Sequence, residues 1–186
     1  MPRGKPRLAA EKLISSHTVF EGRILKLRVD TVQTADGRKS TREIIEHAAC
    51  IAVIPVDTDD NILLVKQYRR APDKELLEIP AGGINEGEDA EEAVIREMQE
   101  EIGFRPQKLE RLGGFYSSPG FCNEYLHLYL ATGLVPSRLH AEDTAGIEVV
   151  RVPVPQINDL ISSGKIEDAK TVAGLLYYLH YRENID

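Results

Sequence analysis

The sequence predicts an α/β protein, an α/β/α sandwich around a mixed β-sheet with a small antiparallel sheet region ahead of it. Three observations carry this expectation. The run AACIAVIPV, Ala48 to Val56, is apolar at odd and even positions alike, the pattern of a strand covered on both faces. Residues 89 to 102, turned by about 100° per residue, place Val94, Ile95, Met98 and Ile102 on one stripe, the pattern of a helix docked on a core. Along the chain, strands precede a helix, more strands follow it, and two helices close, with no internal repeat.

Taken in order, residues 1 to 11 carry Pro, Gly and mixed charge without periodicity and read as a mobile tail, with order expected from near Ser15. Ser16 to Phe20, Arg23 to Gln33 and Arg38 to His47 read as three antiparallel strands. In the second, Leu25, Leu27 and Val29 alternate with Lys26, Arg28 and Asp30, and Ala35-Asp36-Gly37 makes the turn to the third. Three strands alone are marginal, so this block within residues 1 to 47 must pack on something, and residues 48 to 186 are expected to be the main domain. Within that domain Ile62 to Gln67 reads as the neighbour of the buried strand, across a turn at Asp59-Asp60-Asn61. Leu76 to Ile79 leads into Pro80-Ala81-Gly82-Gly83; Lys108 to Phe115, Tyr125 to Ala131 and Ile147 to Val152 are further strands. Pro155 to Ser163 reads as a helix burying Ile157, Leu160 and Ile161. Asp168 is the expected N-cap of a last helix with Val172, Leu175, Leu176 and Leu179 on one stripe.

A chain of 186 residues with 42 % apolar side chains can build a proper core. Its net charge of −7 argues against a nucleic-acid backbone or an anionic membrane as partner. The N-terminal segment lacks the apolar core of a secretion signal, and no apolar run is long enough to span a bilayer, so the expected compartment is the cytoplasm. Cys50 and Cys122 are expected to be reduced thiols.

The helix over 89 to 102 also carries the chemistry. Glu97, Glu100 and Glu101 stand at i, i+3 and i+4 and share one face. By composition they make an ordinary solvated surface, but like charges at this spacing cost roughly 0.2–0.5 kcal/mol a pair, and only Arg96 offsets them within the segment. A divalent cation would remove the repulsion. Oxygen ligands without Cys or His suit a hard ion, Mg²⁺ or Mn²⁺, rather than zinc.

These residues carry a family resemblance. Gly82, Glu88, Arg96, Glu97, Met98, Glu100, Glu101, Gly103 and Phe104 stand at the spacings of the complete Nudix box, and the chain resembles a Nudix hydrolase. With the seven invariant types each used at roughly 6 %, a chance match in one register is on the order of 10⁻⁹. The resemblance implies a loop–helix–loop that binds Mg²⁺ through Glu97, Glu100, Glu101 and the Ala81 carbonyl, with Glu88 and Arg96 bracing the loop by a salt bridge. It also implies hydrolysis of a nucleoside diphosphate linked to another group.

Residues outside the box resemble those of the ADP-ribose pyrophosphatases. Pro119, sixteen residues past Gly103, matches their downstream proline; TREIIEHAACIAVIPV matches their substrate-contacting strand, with Arg42 and Glu43 in place; LVKQYR brings Arg69 onto a substrate-binding arginine. An arginine fork suits phosphate oxygens, and a carboxylate accepts from ribose hydroxyls or an adenine amino group. Phe20 stands where these enzymes stack an aromatic on adenine, and a core-packing role is its alternative. Arg42 and Arg69 equally suit strand-end solvated charges. The resemblance further implies a two-fold homodimer with swapped N-terminal strands, cleavage of ADP-ribose to AMP and ribose 5-phosphate, and a general base from the loop Ser137 to Gly146. Glu142 is preferred there over Asp143, although Thr144, Ala145 and Gly146 depart from the acid-rich family pattern, and a reaction without a dedicated base stays open. A pyrophosphatase for another nucleoside diphosphate sugar, such as GDP-mannose, and a non-catalytic metabolite sensor are the rival readings.

Overall fold

The computed structural model describes residues 10–141 and 144–184. These form two compact units: one contains the chain up to Ala48 together with Ser118–Glu124, the other Ala49–Ser117 and the chain from Tyr125 onward.

The first unit is an antiparallel sheet of β1 (Lys12–Glu21), β2 (Leu25–Gln33) and β3 (Lys39–His47), with β2 in the middle. Strand order begins at Lys12, three residues before the expected Ser15. The turn after β2 is held by side chains as well as by backbone. Thr34 Oγ1 donates to Asp36 Oδ1 at 2.6 Å, and Arg38 Nε donates to Asp36 Oδ2 at 2.6 Å. Gly37 takes φ +84°, which its missing Cβ permits. The expected apolar alternation along β2 is corrected: Leu25, Leu27 and Val29 are only half-buried, whereas Asp30 and Val32 are the buried residues. Arg28 pairs with Asp30 at 3.3 Å and with Glu46 at 2.8 Å. The segment Ser118–Glu124 joins this sheet: Ile45 N donates to Phe121 O at 2.7 Å, Asn123 N donates to Ile45 O, and His47 N donates to Asn123 Oδ1.

The second unit is layered. β4 (Cys50–Pro55) is buried at every position because its two faces meet two different clusters. Ile51 and Val53 pack with Ala93, Val94, Met98 and Ile102 of α1 (Ala90–Glu101) and its C-cap, while Ala52 and Ile54 pack with Ile157, Leu175 and Tyr178 from the closing helices and with Ile166 between them. This is the expected α/β/α arrangement, but it holds two sheets. β7 (Ala81–Gly83), β4, β10 (Tyr125–Thr132) and β9 (Lys108–Tyr116) form a mixed sheet in that order, with β4 and β10 parallel. β12 (Glu148–Pro153), β5 (Asn61–Arg69) and β6 (Lys74–Glu78) form an antiparallel second sheet. β4 and β5 therefore are not ladder neighbours, as sequence adjacency suggests; they meet only through the bridge between Val56 and Ile62. A short pair, β8 (Phe104–Arg105) with β11 (Val135–Pro136), completes the strands.

Two helical stripes differ from expectation. On α1, Ala93 is fully buried whereas Ile95 is half-exposed. A 3₁₀ turn, Val154–Gln156, leads into α2 (Ile157–Ser162), and α3 (Ala169–Glu183) starts at the predicted cap, Asp168, which accepts from Thr171 N. The buried face of α3 is Thr171, Gly174, Leu175 and Tyr178, and Leu176 is exposed. Gly174 lets the helix approach closely, since a Cβ there would stand 3.0 Å from Ile79 and 3.1 Å from Leu128. Neither Cys50 nor Cys122 is in a disulfide. No helix among the described residues is long and apolar enough to cross a membrane.

Candidate active site

The site is built on α1 and the β6–β7 turn. Asp89 caps the helix by accepting from Glu91 N and Glu92 N at 2.9 Å, and Glu92 closes the capping box by accepting from Asp89 N. Acidic residues in the first turn suit the positive end of the helix dipole. Glu97, Glu100 and Glu101 stand towards the other end, whose last turn has no basic residue. The fold thus gathers carboxylates where the helix itself disfavours them.

Arg96 offsets part of that charge. Its Nε and Nη2 donate to the two oxygens of Glu88 at 2.7 and 2.9 Å, Nη2 also donates to Gly83 O, and Nη1 donates to Glu97 at 2.6 Å and Glu100 at 3.2 Å. The guanidinium braces the loop Gly83 to Glu88 against the helix, as the resemblance implies. Gly82, in β7, is glycine for want of space: a Cβ would stand 1.9 Å from Glu97 Oε1.

Glu101 is buried and accepts from Ala81 N at 3.2 Å. Burial, and next the charge of Glu97, push its carboxyl up to about 8. A buried carboxylate beside a second carboxylate and a glycine-walled strand is a donor set made of oxygens alone. Such a set fits a hard divalent cation, which would offset the repulsion between the two carboxylates.

Glu97 and Glu101 line a cleft of about 260 Å³ together with Gln67, Arg69, Ala81, Gly82, Gly83, Thr144 and Ile147. Its wall is charged on both sides. Arg69 enters from β5, and its guanidinium makes a two-pronged contact with Glu78, Nε to Oε1 at 2.8 Å and Nη2 to Oε2 at 2.7 Å. Burial raises the Glu78 carboxyl, but the hydrogen bonds and charges of Arg69 and Lys170 outweigh it and hold the group below the ordinary carboxylate range. An anion with several oxygens can therefore meet a guanidinium on one side while its charge is neutralised on the carboxylate side by a bound cation.

Of the residues singled out by sequence, Ala81, Glu97, Glu101 and Arg69 line this one cleft. Glu100 is not among the lining residues; it accepts from Arg96 Nη1 at 3.2 Å. Phe20, Arg42, Glu43 and Pro119 belong to the other unit. There Phe20 is 56 % exposed and its ring lies against Gly22, Arg42 pairs with Glu11 and donates to Ser40 Oγ at 2.8 Å, and Glu43 and Pro119 are exposed. Glu142 and Asp143 lie outside the described residues; Thr144, the next residue, lines the cleft. Sequence reasoning missed Gln67, Glu78 and Lys170. Gln67 had a signal, since it shares a strand face with Arg69 at i, i+2, and so had Glu78, a single charge inside the apolar LLEIP. Lys170 had none, because it reads as an ordinary cation in the first turn of a helix.

An α/β/α layering with a loop and an acid-faced helix at its cleft defines the class, and comparison with known proteins agrees. Residues 46–175 match the NUDIX domain family, so the chain belongs to the Nudix family and is a hydrolase of it. Residues 11–45 match the nucleoside diphosphate sugar hydrolase N-terminal domain. The chain is 36 % identical to the methanol dehydrogenase activator of Bacillus methanolicus, over 92 % of this chain and 94 % of that protein. It is 35 % identical to the ADP-ribose pyrophosphatase of Bacillus subtilis, over 93 % and 94 % of the two chains. A crystal structure of an ADP compounds hydrolase superposes with a TM-score of 0.88 at 21 % identity, covering 97 % of this chain and 98 % of that one, and so shares the fold.

Proposed function

We propose that the protein is a Mg²⁺-dependent ADP-ribose pyrophosphatase that releases AMP and ribose 5-phosphate, with Mn²⁺ as a substitute ion. The observation that carries the reading is the cleft itself, of about 260 Å³, which Arg69 lines together with Glu97 and Glu101. Likeness over nearly the whole chain to a protein named ADP-ribose pyrophosphatase supports the choice of substrate.

Glu97, Glu100 and Glu101, with the Ala81 carbonyl, would hold the ion. When bound, the ion neutralises the diphosphate oxygens and acidifies water. Arg69 binds the diphosphate from the opposite wall, and the glycines at 82 and 83 leave room for it. Glu142, with Asp143 as the alternative, takes the proton of the attacking water, a role supported by the position of Thr144 on the cleft. Phe20, Arg42, Glu43 and Pro119 select the nucleotide. β1 supports a homodimer with swapped N-terminal strands, because Leu13, Ile14, Val19 and Phe20 are 46–56 % exposed on a strand at a sheet edge. The expected compartment is the cytoplasm.

Incubation with ADP-ribose and Mg²⁺, beside GDP-mannose and other nucleoside diphosphate sugars, tests the reading: the expected result is AMP release, fastest for ADP-ribose and abolished by chelator. A faster GDP-mannose reaction would move the substrate to another sugar nucleotide. One specific observation favours a second reading, a role on a partner protein: the relative named an activator. Tight ADP-ribose binding without AMP release would select that reading and sink the enzyme proposal. Loss of turnover below tenfold in both Glu142→Gln and Asp143→Asn would remove that loop from the chemistry.

A further inference from the structure

Arg69 does not stand in the cleft alone. Two of its five N–H groups are taken up by Glu78, which is 1 % exposed on β6. A carboxylate at that depth with one cationic partner would hold the guanidinium's charge for itself. It has a second partner, Lys170 in the first turn of α3, whose Nζ donates to Glu78 Oε2 and, at 2.9 Å, to Asp168 Oδ2. Asp168 is the helix cap: it accepts from Thr171 N at 3.0 Å and Thr171 Oγ1 at 2.5 Å. The same Thr171 Oγ1 accepts from Ile79 N at 2.9 Å, so the network returns to the turn that carries Ala81.

The charges in this cluster balance, two cations against two carboxylates, and the order of the partners matters. Lys170 approaches Glu78 on Oε2, the oxygen that also receives Arg69 Nη2, and so divides the charge of that oxygen between two cations. Arg69 thereby keeps part of its field, together with its remaining N–H groups, for the cleft that it lines. We propose that Lys170 is a positioning residue for binding of the substrate diphosphate: through Glu78 it fixes the orientation of Arg69 and preserves the positive charge that Arg69 presents. The proposal rests on the pyrophosphatase reading for the ligand, but not on turnover. A network that merely fastens α3 to β6 would show in stability and leave binding unchanged.

A double-mutant cycle over Lys170→Met and Arg69→Gln decides the matter. It is read as the Kd of ADP-ribose by calorimetry without divalent ion, and as kcat and KM for AMP release with Mg²⁺. Lys170→Met is expected to raise Kd and KM about tenfold while kcat stays within about threefold. The double variant is expected to be no more than about threefold weaker than Arg69→Gln alone, because Lys170 acts through Arg69. Lys170→Arg is expected to restore binding to within about threefold of the parent. Losses that multiply in the double variant, or a Lys170→Met protein that binds as the parent does, overturn the proposal. If Lys170→Met does not fold, Lys170→Gln, which keeps a donor without the charge, takes its place in the cycle. A parent that binds ADP-ribose without releasing AMP defeats the pyrophosphatase reading and leaves the cycle on Kd to judge Lys170; a parent that neither binds it nor releases AMP with Mg²⁺ defeats both.

Discussion

β1 and β4 are both strands with several large apolar side chains, yet β1 is exposed at all ten positions and β4 is buried at all six. β4 has a ladder partner on each edge and a helical layer on each face. β1 pairs with β2 alone, at the edge of a three-stranded sheet. Hydrogen bonding makes a strand in both cases, and only the added layers turn apolar content into stability. β4 thus belongs to the core that holds the cleft, whereas the face of β1 stays open.

The largest effect is expected at the cleft. Glu97→Gln is expected to lower turnover by about a thousandfold, a loss of ~4 kcal/mol in transition-state stabilisation, while the thermal midpoint hardly moves. An unchanged rate would reduce the acidic face to solvated surface. Next in size, Ile54→Ala in β4 should cost roughly 2–5 kcal/mol in chemical denaturation, as a fully buried side chain with neighbours on all sides does. Val19→Ala in β1 should cost the isolated protomer less than ~0.5 kcal/mol, because it is 56 % exposed. Equal losses at the two sites would show that β1 is covered in solution, and light scattering on the same samples would reveal whether a second copy covers it. Phe20→Ala is expected to weaken ADP-ribose binding by ~1–3 kcal/mol without lowering protomer stability, as the loss of a stacking ring does. Retained affinity would return Phe20 to packing.

The smallest effect concerns pH. Glu78 is held below its ordinary value of 4.5 in the folded protein, so it contributes stability that is fully present above the unfolded value and is lost as pH falls through the folded one. Below about pH 4.5, Glu78→Gln should therefore flatten the fall of stability with acid relative to the parent, measured by denaturation at stepped pH. Parallel curves would mean that Arg69 and Lys170 do not hold the carboxylate as the distances indicate.

Much of the site was legible because its parts are contiguous. Helical spacing places Glu97, Glu100 and Glu101 on one face wherever the helix docks, and Asp168 caps the last helix through a bond that spans three residues. The strand positions also came through where burial is two-sided, as in β4. What was misread is long-range. The split between β4 and β5 into two sheets follows from pairing partners far along the chain, and β10 enters beside β4 only after the acidic helix and β9 have been made. Ile95 and Leu176 fit an apolar stripe by period but lie outside the packed face, because Ala93 and Gly174 bring their helices close to the sheet and the contact narrows. A buried Asp30 in β2 breaks the alternation rule through its pairing with Arg28, a charge compensation that hydropathy does not encode.

By itself, then, the sequence determined the acid face of α1 and, through the family resemblance, the brace between Glu88 and Arg96, since both lie within one helix and its entry loop. Only the tertiary structure decided that Arg69 meets Glu78, that Lys170 from the last helix shares that carboxylate, and that Ser118–Glu124 joins the N-terminal sheet. Those contacts join residues 9, 92 and more than 70 positions apart, and a charge buried between distant segments is chosen by the geometry of packing, where an ion must find its partner or not be buried at all.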